Sequence, residues 1–121
     1  MKAFLLLAHG SRRTQSNVEV VELAKRFYDN NSQQFPIVSA GFLELAEPTI
    51  PEVIEQAIQQ GATELFISPY FLAAGTHVVN DIPSIVTNTL NNYPQVKHHL
   101  LAHIGGNDGI VDLLLHSTSD K

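Results

Sequence analysis

Residues 2–11 read KAFLLLAHGS, an apolar run that ends abruptly in histidine, glycine and serine. A run of this kind, bounded by turn residues, is typical of a strand buried on both faces of a parallel sheet. His9 directly follows the run, where such a strand would reach the edge of its sheet. Open α/β sheets hold ligands at the edge formed by the carboxyl ends of their strands. The segment therefore predicts a first strand at residues 2–8 and a candidate functional group at His9.

The rest of the chain alternates strand-like apolar runs with segments of helical periodicity. This alternation predicts βαβ units with right-handed connections and helices on both faces of one parallel sheet. The fold class is thus α/β, a small three-layer α/β/α domain with a four-stranded parallel sheet, and residues 1–121 form one domain. We expect strands at about residues 2–8, 37–43, 64–69 and 97–102, and helices at about 14–30, 50–60, 82–92 and 108–116.

Local signals predict where the helices begin and end. Thr49 and Glu52 make a capping box for the second helix, which Gly61 terminates. We expect Asp81 to cap the third helix after a long loop, with Pro83 just inside the first turn. On the first helix, residues three apart predict an inner face made of Val18, Val21, Ala24 and Phe27.

Composition excludes several classes of function. The chain has 121 residues, of which 44% are hydrophobic and 16% charged, and this balance favours a compact domain. Cysteine is absent, which excludes disulfides, iron–sulfur clusters, thiolate zinc sites and cysteine nucleophiles. A formal charge of −5 argues against nucleic acid as a partner. No apolar run is long enough to span a bilayer, so we expect a cytoplasmic protein without membrane contact.

Two histidines and two glutamates are the candidate chemical groups. His9 follows the first strand and His77 follows the loop after the third, so both are expected at one edge of the sheet. Two imidazoles in one crevice can hold a divalent metal, move protons, or do both. Glu44 and Glu47, after the second strand, offer a carboxylate to this pair, or simply favour the following helix N-terminus. Spacing does not separate the two glutamates, and we prefer Glu44 because it is nearer the strand end.

The loops at this edge carry further candidates. Ser11, Arg12 and Arg13 lead into a helix N-terminus, where an anion is favoured, although the same residues suit a solvated surface turn. The loop that begins at Tyr70 is apolar, so it either covers a pocket or a partner or folds onto the core. Gly75 is expected to give the backbone freedom that brings His77 around. His103, at the end of the fourth strand, is a possible third imidazole.

Four motifs, in order, carry a family resemblance: AHGSR at residues 8–12, FLELAEPT at 42–49, PYFLAAGTH at 69–77 and DIP at 81–83. Together they resemble the short sirohydrochlorin chelatases of the CbiX/SirB type. The resemblance implies half of the bilobal ferrochelatase fold, working as a homodimer. It also implies a lyase that inserts Co²⁺ or Fe²⁺ into sirohydrochlorin without ATP, in cobalamin or siroheme biosynthesis.

The resemblance assigns roles to individual residues. His9 and His77 would bind the metal and act in catalysis. Glu44, preferred above because it is nearer the strand end, would be the accompanying catalytic carboxylate. No permanently bound cofactor is expected, since Co²⁺, Fe²⁺ or Ni²⁺ is a substrate. The alternative function is a tetrapyrrole or metal carrier of the same fold that has no catalytic activity. Contacts with the tetrapyrrole would come from Ser11, Arg12, Arg13, Tyr70, Phe71, Leu72, Gly75 and Thr76.

Overall fold

The computed structural model describes residues 1–119, without the side chains of His77 and Val79. It contains four strands, four α-helices and one 3₁₀ turn at Ile104–Gly106. The strands are β1 (Lys2–Ala8), β2 (Ile37–Phe42), β3 (Glu64–Pro69) and β4 (Lys97–Leu100). The helices are α1 (Thr14–Asn31), α2 (Ile50–Gln59), α3 (Thr76–Leu90) and α4 (Gly109–His116).

The strands form one parallel sheet in the order β2-β1-β3-β4. Leu5 of β1 lies opposite Ser39 of β2 and Ile67 of β3, so β1 is paired on both sides. Helix α1 packs on one face of the sheet, and α2 and α3 pack on the other. This arrangement confirms the predicted α/β class and its four-stranded parallel sheet. All the carboxyl ends meet at one edge, which we call the site edge.

The main core lies between the sheet and the helices α2 and α3. Leu5, Leu7 and Ile67 of the sheet meet Val53 and Ile82 of the helices, and all five are fully buried. Burial of each such side chain stabilises the fold by about 1.5 to 3 kcal/mol. The opposite face holds a smaller cluster under α1. Because β1 is buried on both faces, its sequence is continuously apolar rather than alternating.

Two of the four residues predicted for the inner face of α1 pack inside, and two do not. Ala24 is buried, and Phe27 stacks on Phe4 with ring centroids 4.0 Å apart. Val18 and Val21 were expected inside, but both are exposed. A period of 3.6 residues places them beside the buried stripe rather than within it. The other apolar residues that pack there are Val20 and Leu23.

The boundaries of α2 confirm the capping signals. The Glu52 amide donates to the Thr49 hydroxyl over 3.3 Å, and the Thr49 amide donates to the Glu52 carboxylate over 2.8 Å. The helix ends at Gln59, and Gly61 follows with φ +107°, a conformation that favours glycine.

The predicted start of α3 is wrong. The helix begins at Thr76 with Gly75 as its cap, so Pro83 lies inside it rather than in its first turn. Proline in a helix interior costs about 3 kcal/mol. Packing offsets this cost, because Val78 and the fully buried Ile82 continue the apolar stripe upstream of the proline. Gly75 has φ −75° and ψ 169°, which any residue adopts, so its predicted backbone role is also wrong.

The strand and the helix predicted for the last third of the chain are both present. Strand β4 ends at Leu100, two residues earlier than predicted, and α4 runs to His116 from a cap at Asp108. The 3₁₀ turn between them was not predicted. No helix within residues 1–119 is long and apolar enough to cross a membrane.

Glu64 and His99 form an ion pair across β3 and β4. His99 Nε2 lies 2.7 Å from Glu64 Oε2, and the imidazole stacks on Phe66 with centroids 4.6 Å apart. The hydrogen bond from His99 is the main cause that holds the pKa of Glu64 below its ordinary value of 4.5. Lys2 lowers this pKa further, while partial burial opposes the shift.

We expect the substitution His99→Phe, which keeps a ring on Phe66, to raise the pKa of Glu64 towards 4.5. A carboxyl whose pKa is lowered by folding stabilises the protein above its ordinary pKa, and the effect is lost as pH falls through the lowered value. The stability difference between the two proteins should therefore shrink on acidification. Carboxyl-detected NMR titration and acid unfolding measure both effects, and Glu64→Gln is the control. An unchanged Glu64 pKa in His99→Phe would contradict the assignment.

Candidate functional site

The loops after β1 and β2 are joined by backbone hydrogen bonds at the site edge. The Leu43 amide donates to the Ala8 carbonyl over 2.9 Å, and the Glu44 amide donates to the His9 carbonyl over 3.0 Å. The parallel ladder thus continues past the ends of both strands. As a result, the backbone itself fixes the positions of His9 and Glu44 relative to each other.

Gly10 makes this close approach possible. It has φ +92°, in the left-handed region, and a Cβ atom there would lie 1.7 Å from the Glu44 carbonyl oxygen. No side chain fits in that space without moving one loop. After Glu44 the chain turns sharply at Leu45, which has φ +64°, and returns to the sheet through the Phe42 amide, which donates to the Pro48 carbonyl.

The side chains of His9 and Glu44 face each other. His9 Nε2 lies 3.6 Å from Glu44 Oε1, and the two side chains are 50% and 57% exposed. His9 Nδ1 lies 3.1 Å from the Gly10 carbonyl oxygen, which can only accept, so this contact is a hydrogen bond in the tautomer that carries its hydrogen on Nδ1. In that neutral tautomer, the Nε2 lone pair faces the carboxylate. Two facing lone pairs repel each other unless a proton or a cation lies between them.

The distance suits a metal ion. Two ligand atoms, each about 2.1 Å from a tetrahedral metal, are separated by about 3.4 Å. The observed 3.6 Å between Nε2 and Oε1 is close to that separation. Of the two glutamates that the sequence left open, Glu44 is the one for which the structure shows a contact with His9.

His77 is the second predicted metal ligand, and its side chain lies outside the described part of the structure. Its backbone is in the first turn of α3, which begins at the site edge. Among the described residues, no three His, Asp or Glu side chains form a metal-binding group. His103, the possible third imidazole, caps the 3₁₀ turn and lies against Gly106, whose Cβ would be 2.9 Å from the ring.

The loop that carries the two arginines is braced by a residue that sequence reasoning missed. Asn17 of α1 accepts a hydrogen bond from the Ser11 amide over 3.0 Å and donates to the Ser11 carbonyl over 2.8 Å. The Ser11 hydroxyl accepts from the Arg13 amide, so it has a structural role. Both Arg12 and Arg13 are exposed. An asparagine early in a helix, six residues after a turn serine, was the available signal.

The loop after β3 forms an apolar shelf at the site edge. Tyr70 is tied to the Leu7 carbonyl by its amide, and its side chain is 39% exposed. Phe71 packs onto the core, whereas Leu72 is 73% exposed and Leu45, on the neighbouring loop, is 52% exposed. Gly75 and Thr76 close the loop and are exposed. A half-exposed polar pair beside an apolar shelf can bind a flat, largely apolar molecule near a cation.

A statistical model of the CbiX family matches residues 3–121. The chain belongs to the CbiX family. A family relative, the sirohydrochlorin cobaltochelatase of Methanocaldococcus jannaschii, is 43% identical over 86 residues, which are 71% of this chain and 59% of that protein. The sirohydrochlorin ferrochelatase of Priestia megaterium is 35% identical over 120 residues, 99% of this chain and 44% of that protein.

A solved structure agrees with the CbiX assignment. The sirohydrochlorin chelatase SirB from Bacillus subtilis subspecies spizizenii, in complex with cobalt, superposes with a TM-score of 0.85 at 28% identity. The match covers 98% of this chain and 50% of that one. The chain spans about half the length of the curated relatives it matches.

In this CbiX family member, we expect Gly10→Ala to destabilise the fold by about 2 kcal/mol or more, because it adds a clash and an unfavourable φ. Gly75→Ala is the matched control, since nothing lies within 4 Å of its Cβ position. The control should stay within about 0.5 kcal/mol of the parent. Urea unfolding measures both free energies, and equal losses in the two variants would contradict the role of Gly10.

Proposed function

We propose that the protein inserts a divalent metal, Co²⁺ or Fe²⁺, into sirohydrochlorin without ATP, as a step of cobalamin or siroheme biosynthesis. The observation that carries the proposal is the facing pair of His9 and Glu44 beside an apolar shelf. The names of the family relatives, cobaltochelatase and ferrochelatase, support the substrate.

Insertion replaces two protons on the ring nitrogens by one metal ion. These two protons must pass to the protein or to water, and the protein must release a metal that it has bound only weakly. His9 Nε2 can receive one proton because its lone pair is free when Nδ1 donates to Gly10. Glu44 can hold the metal before transfer and then accept or relay a proton. Imidazole and carboxylate bind first-row divalent ions less tightly than thiolates do, which permits release.

The surrounding surface suits the tetrapyrrole. Leu45, Tyr70 and Leu72 lie in loops at the site edge and are exposed, and we propose that they contact the ring. Arg12 and Arg13 carry positive charge at the same edge of a protein whose formal charge is −5. We propose that they attract the carboxylates at the periphery of the substrate. Ser11 supports this loop, and Phe71 anchors the shelf to the core.

His77 and the two residues before it also belong to the proposed site. His77 would join His9 as a metal ligand, and Gly75 and Thr76, which precede it in the loop and the helix start, would contact the substrate. The position of His77 in the first turn of α3, at the site edge, supports this role.

We also propose that two copies form the working unit in the cytoplasm. The resemblance to the short chelatases, which implies a homodimer, supports a pair.

The decisive test is anaerobic insertion of Co²⁺, Fe²⁺ and Ni²⁺ into sirohydrochlorin, followed by absorbance. We expect His9→Ala and Glu44→Gln to lower the rate by about a hundredfold or more, as loss of a general base does. Glu47→Gln is the matched control, because Glu44 is the carboxylate placed at His9, and it should keep the parent rate.

Two results would overturn the proposal. Full insertion activity in both His9→Ala and Glu44→Gln would remove the pair from the chemistry. Binding of the tetrapyrrole by the parent protein, with no rate above the spontaneous one, would establish a carrier instead.

For Arg12→Gln we expect a rise in KM of about two- to fivefold with kcat unchanged, because an exposed charge contributes modestly to binding. The rise should diminish at high ionic strength, where the exposed charge is screened. Lys97→Gln, an exposed lysine at the start of β4 and thus at the opposite edge of the sheet, is the control. Steady-state kinetics at two salt concentrations checks the prediction, which fails if both variants behave alike.

A further inference from the structure

A chain of hydrogen bonds connects the His9 ring to the first helix. His9 Nδ1 lies 3.1 Å from the Gly10 carbonyl oxygen. The amide of the same peptide unit, on Ser11, donates to Asn17 Oδ1 over 3.0 Å. In a planar trans peptide the carbonyl and the N–H point in opposite directions. This one peptide unit therefore has the imidazole on one side and the Asn17 side chain on the other.

The glycine at position 10 leaves the orientation of this peptide to hydrogen bonding. Gly10 has φ +92° and no Cβ atom, so the peptide unit that follows it can rotate more freely than one that follows any other residue. A rotated Gly10–Ser11 peptide would turn its carbonyl oxygen away from the imidazole. Sterics alone do not prevent that rotation, whereas the bond from the Ser11 amide to Asn17 does.

The side-chain amide of Asn17 fits this position in only one orientation. Its Nδ2 donates to the Ser11 carbonyl over 2.8 Å, while its Oδ1 accepts from the Ser11 amide. Because a backbone N–H only donates and a backbone carbonyl only accepts, a flipped Asn17 would lose both bonds. Both bonds are partly buried, whereas the His9 side chain is 50% exposed. Asn17 is thus the better protected end of the hydrogen-bond chain.

Helix α1 gives Asn17 a fixed support. The helix begins at Thr14, so Asn17 is in its first turn. Further along α1, Ala24 is buried and Phe27 stacks on Phe4 of the central strand β1. His9 directly follows that same strand. The His9 ring is therefore linked to β1 twice, once through the backbone and once through α1, Asn17 and the Gly10–Ser11 peptide.

We propose that Asn17 is a positioning residue that orients the Gly10–Ser11 peptide, so that the Gly10 carbonyl selects the His9 tautomer with its hydrogen on Nδ1. That tautomer leaves the Nε2 lone pair facing Glu44 Oε1 at 3.6 Å. In water, a neutral histidine side chain favours the hydrogen on Nε2, which would block that lone pair. The proposal deepens the proposed function, on which it rests for the claim that His9 Nε2 binds the metal.

NMR of the full chain without metal measures the tautomer directly. Long-range ¹H–¹⁵N spectra distinguish the two ring nitrogens, and the spectrum of His9→Ala identifies the His9 signals. At about pH 8.5, where an imidazole is neutral, we expect the hydrogen of His9 mainly on Nδ1. Asn17→Ala should shift the tautomer ratio towards Nε2 by about fivefold or more, the equivalent of one hydrogen bond. If Asn17 only stabilised the loop, the ratio would not change.

Asn31→Ala is the matched control. Asn31 is the last residue of the same helix, and its Nδ2 donates to the Phe27 carbonyl over 2.9 Å. Asn31→Ala removes a bond between a side chain and the backbone, as Asn17→Ala does, but at the other end of α1. It should leave the His9 tautomer ratio at the parent value. If Asn17→Ala does not fold, Asn17→Leu gives the same test, because it keeps the size of the side chain and loses both hydrogen bonds.

Binding of Co²⁺ alone tests the consequence for the metal. Groups that orient a metal-binding histidine through its other ring nitrogen typically contribute about 10- to 100-fold to affinity. Asn17 acts one step further away, through a peptide unit, so we expect Asn17→Ala to weaken Co²⁺ binding by about tenfold, at the low end of that range. Titration followed by visible absorbance measures this change, and Asn31→Ala should bind Co²⁺ as the parent does.

Three results would overturn the role of Asn17: a parent with the His9 hydrogen mainly on Nε2, a folded Asn17→Ala or Asn17→Leu protein with the parent ratio, or an equal shift in Asn31→Ala. Metal insertion measured on the same samples keeps the two proposals apart. A parent whose tautomer depends on Asn17 but which inserts no metal would refute the enzyme and leave the positioning role standing.

Discussion

The whole site depends on the continuation of the β1–β2 ladder beyond the strands. Two backbone hydrogen bonds, from Leu43 to Ala8 and from Glu44 to His9, hold the two loops in register. They form because Gly10 leaves room for the Glu44 carbonyl, and because β1 is fixed at the centre of the sheet by burial on both faces. Backbone hydrogen bonds thus connect the polar pair to the buried core, although both side chains are about half exposed to solvent.

Parts of the structure with strong local signals could be predicted from the sequence. The run before His9 specified β1 and the site edge, and the capping box at Thr49 specified the start of α2. The start of α3 could not be predicted in this way, because a local signal at Asp81 and Pro83 competed with packing of Val78 upstream. Helix position here is decided by burial against the sheet, which only the assembled fold reveals.

In the candidate site, too, some features could be predicted from the sequence and others could not. The edge, and His9 on it, followed from the pattern of strands. The contact between Glu44 and His9 depends on the extension of the ladder into both loops, for which the sequence carries no signal. The hydrogen bonds between Asn17 and Ser11 had one signal in the sequence, an asparagine early in a helix and six residues after a turn serine, and this signal was missed.

Under the proposed function, the half-exposure of His9 and Glu44 has a consequence for how the protein would bind a metal. Ligands open to solvent leave much of an ion's coordination sphere to water, so the ion would arrive partly hydrated and could depart on the timescale of ligand exchange. Occupancy would then follow the free concentration of each ion, and the metal in the product would report the metal supply of the cell.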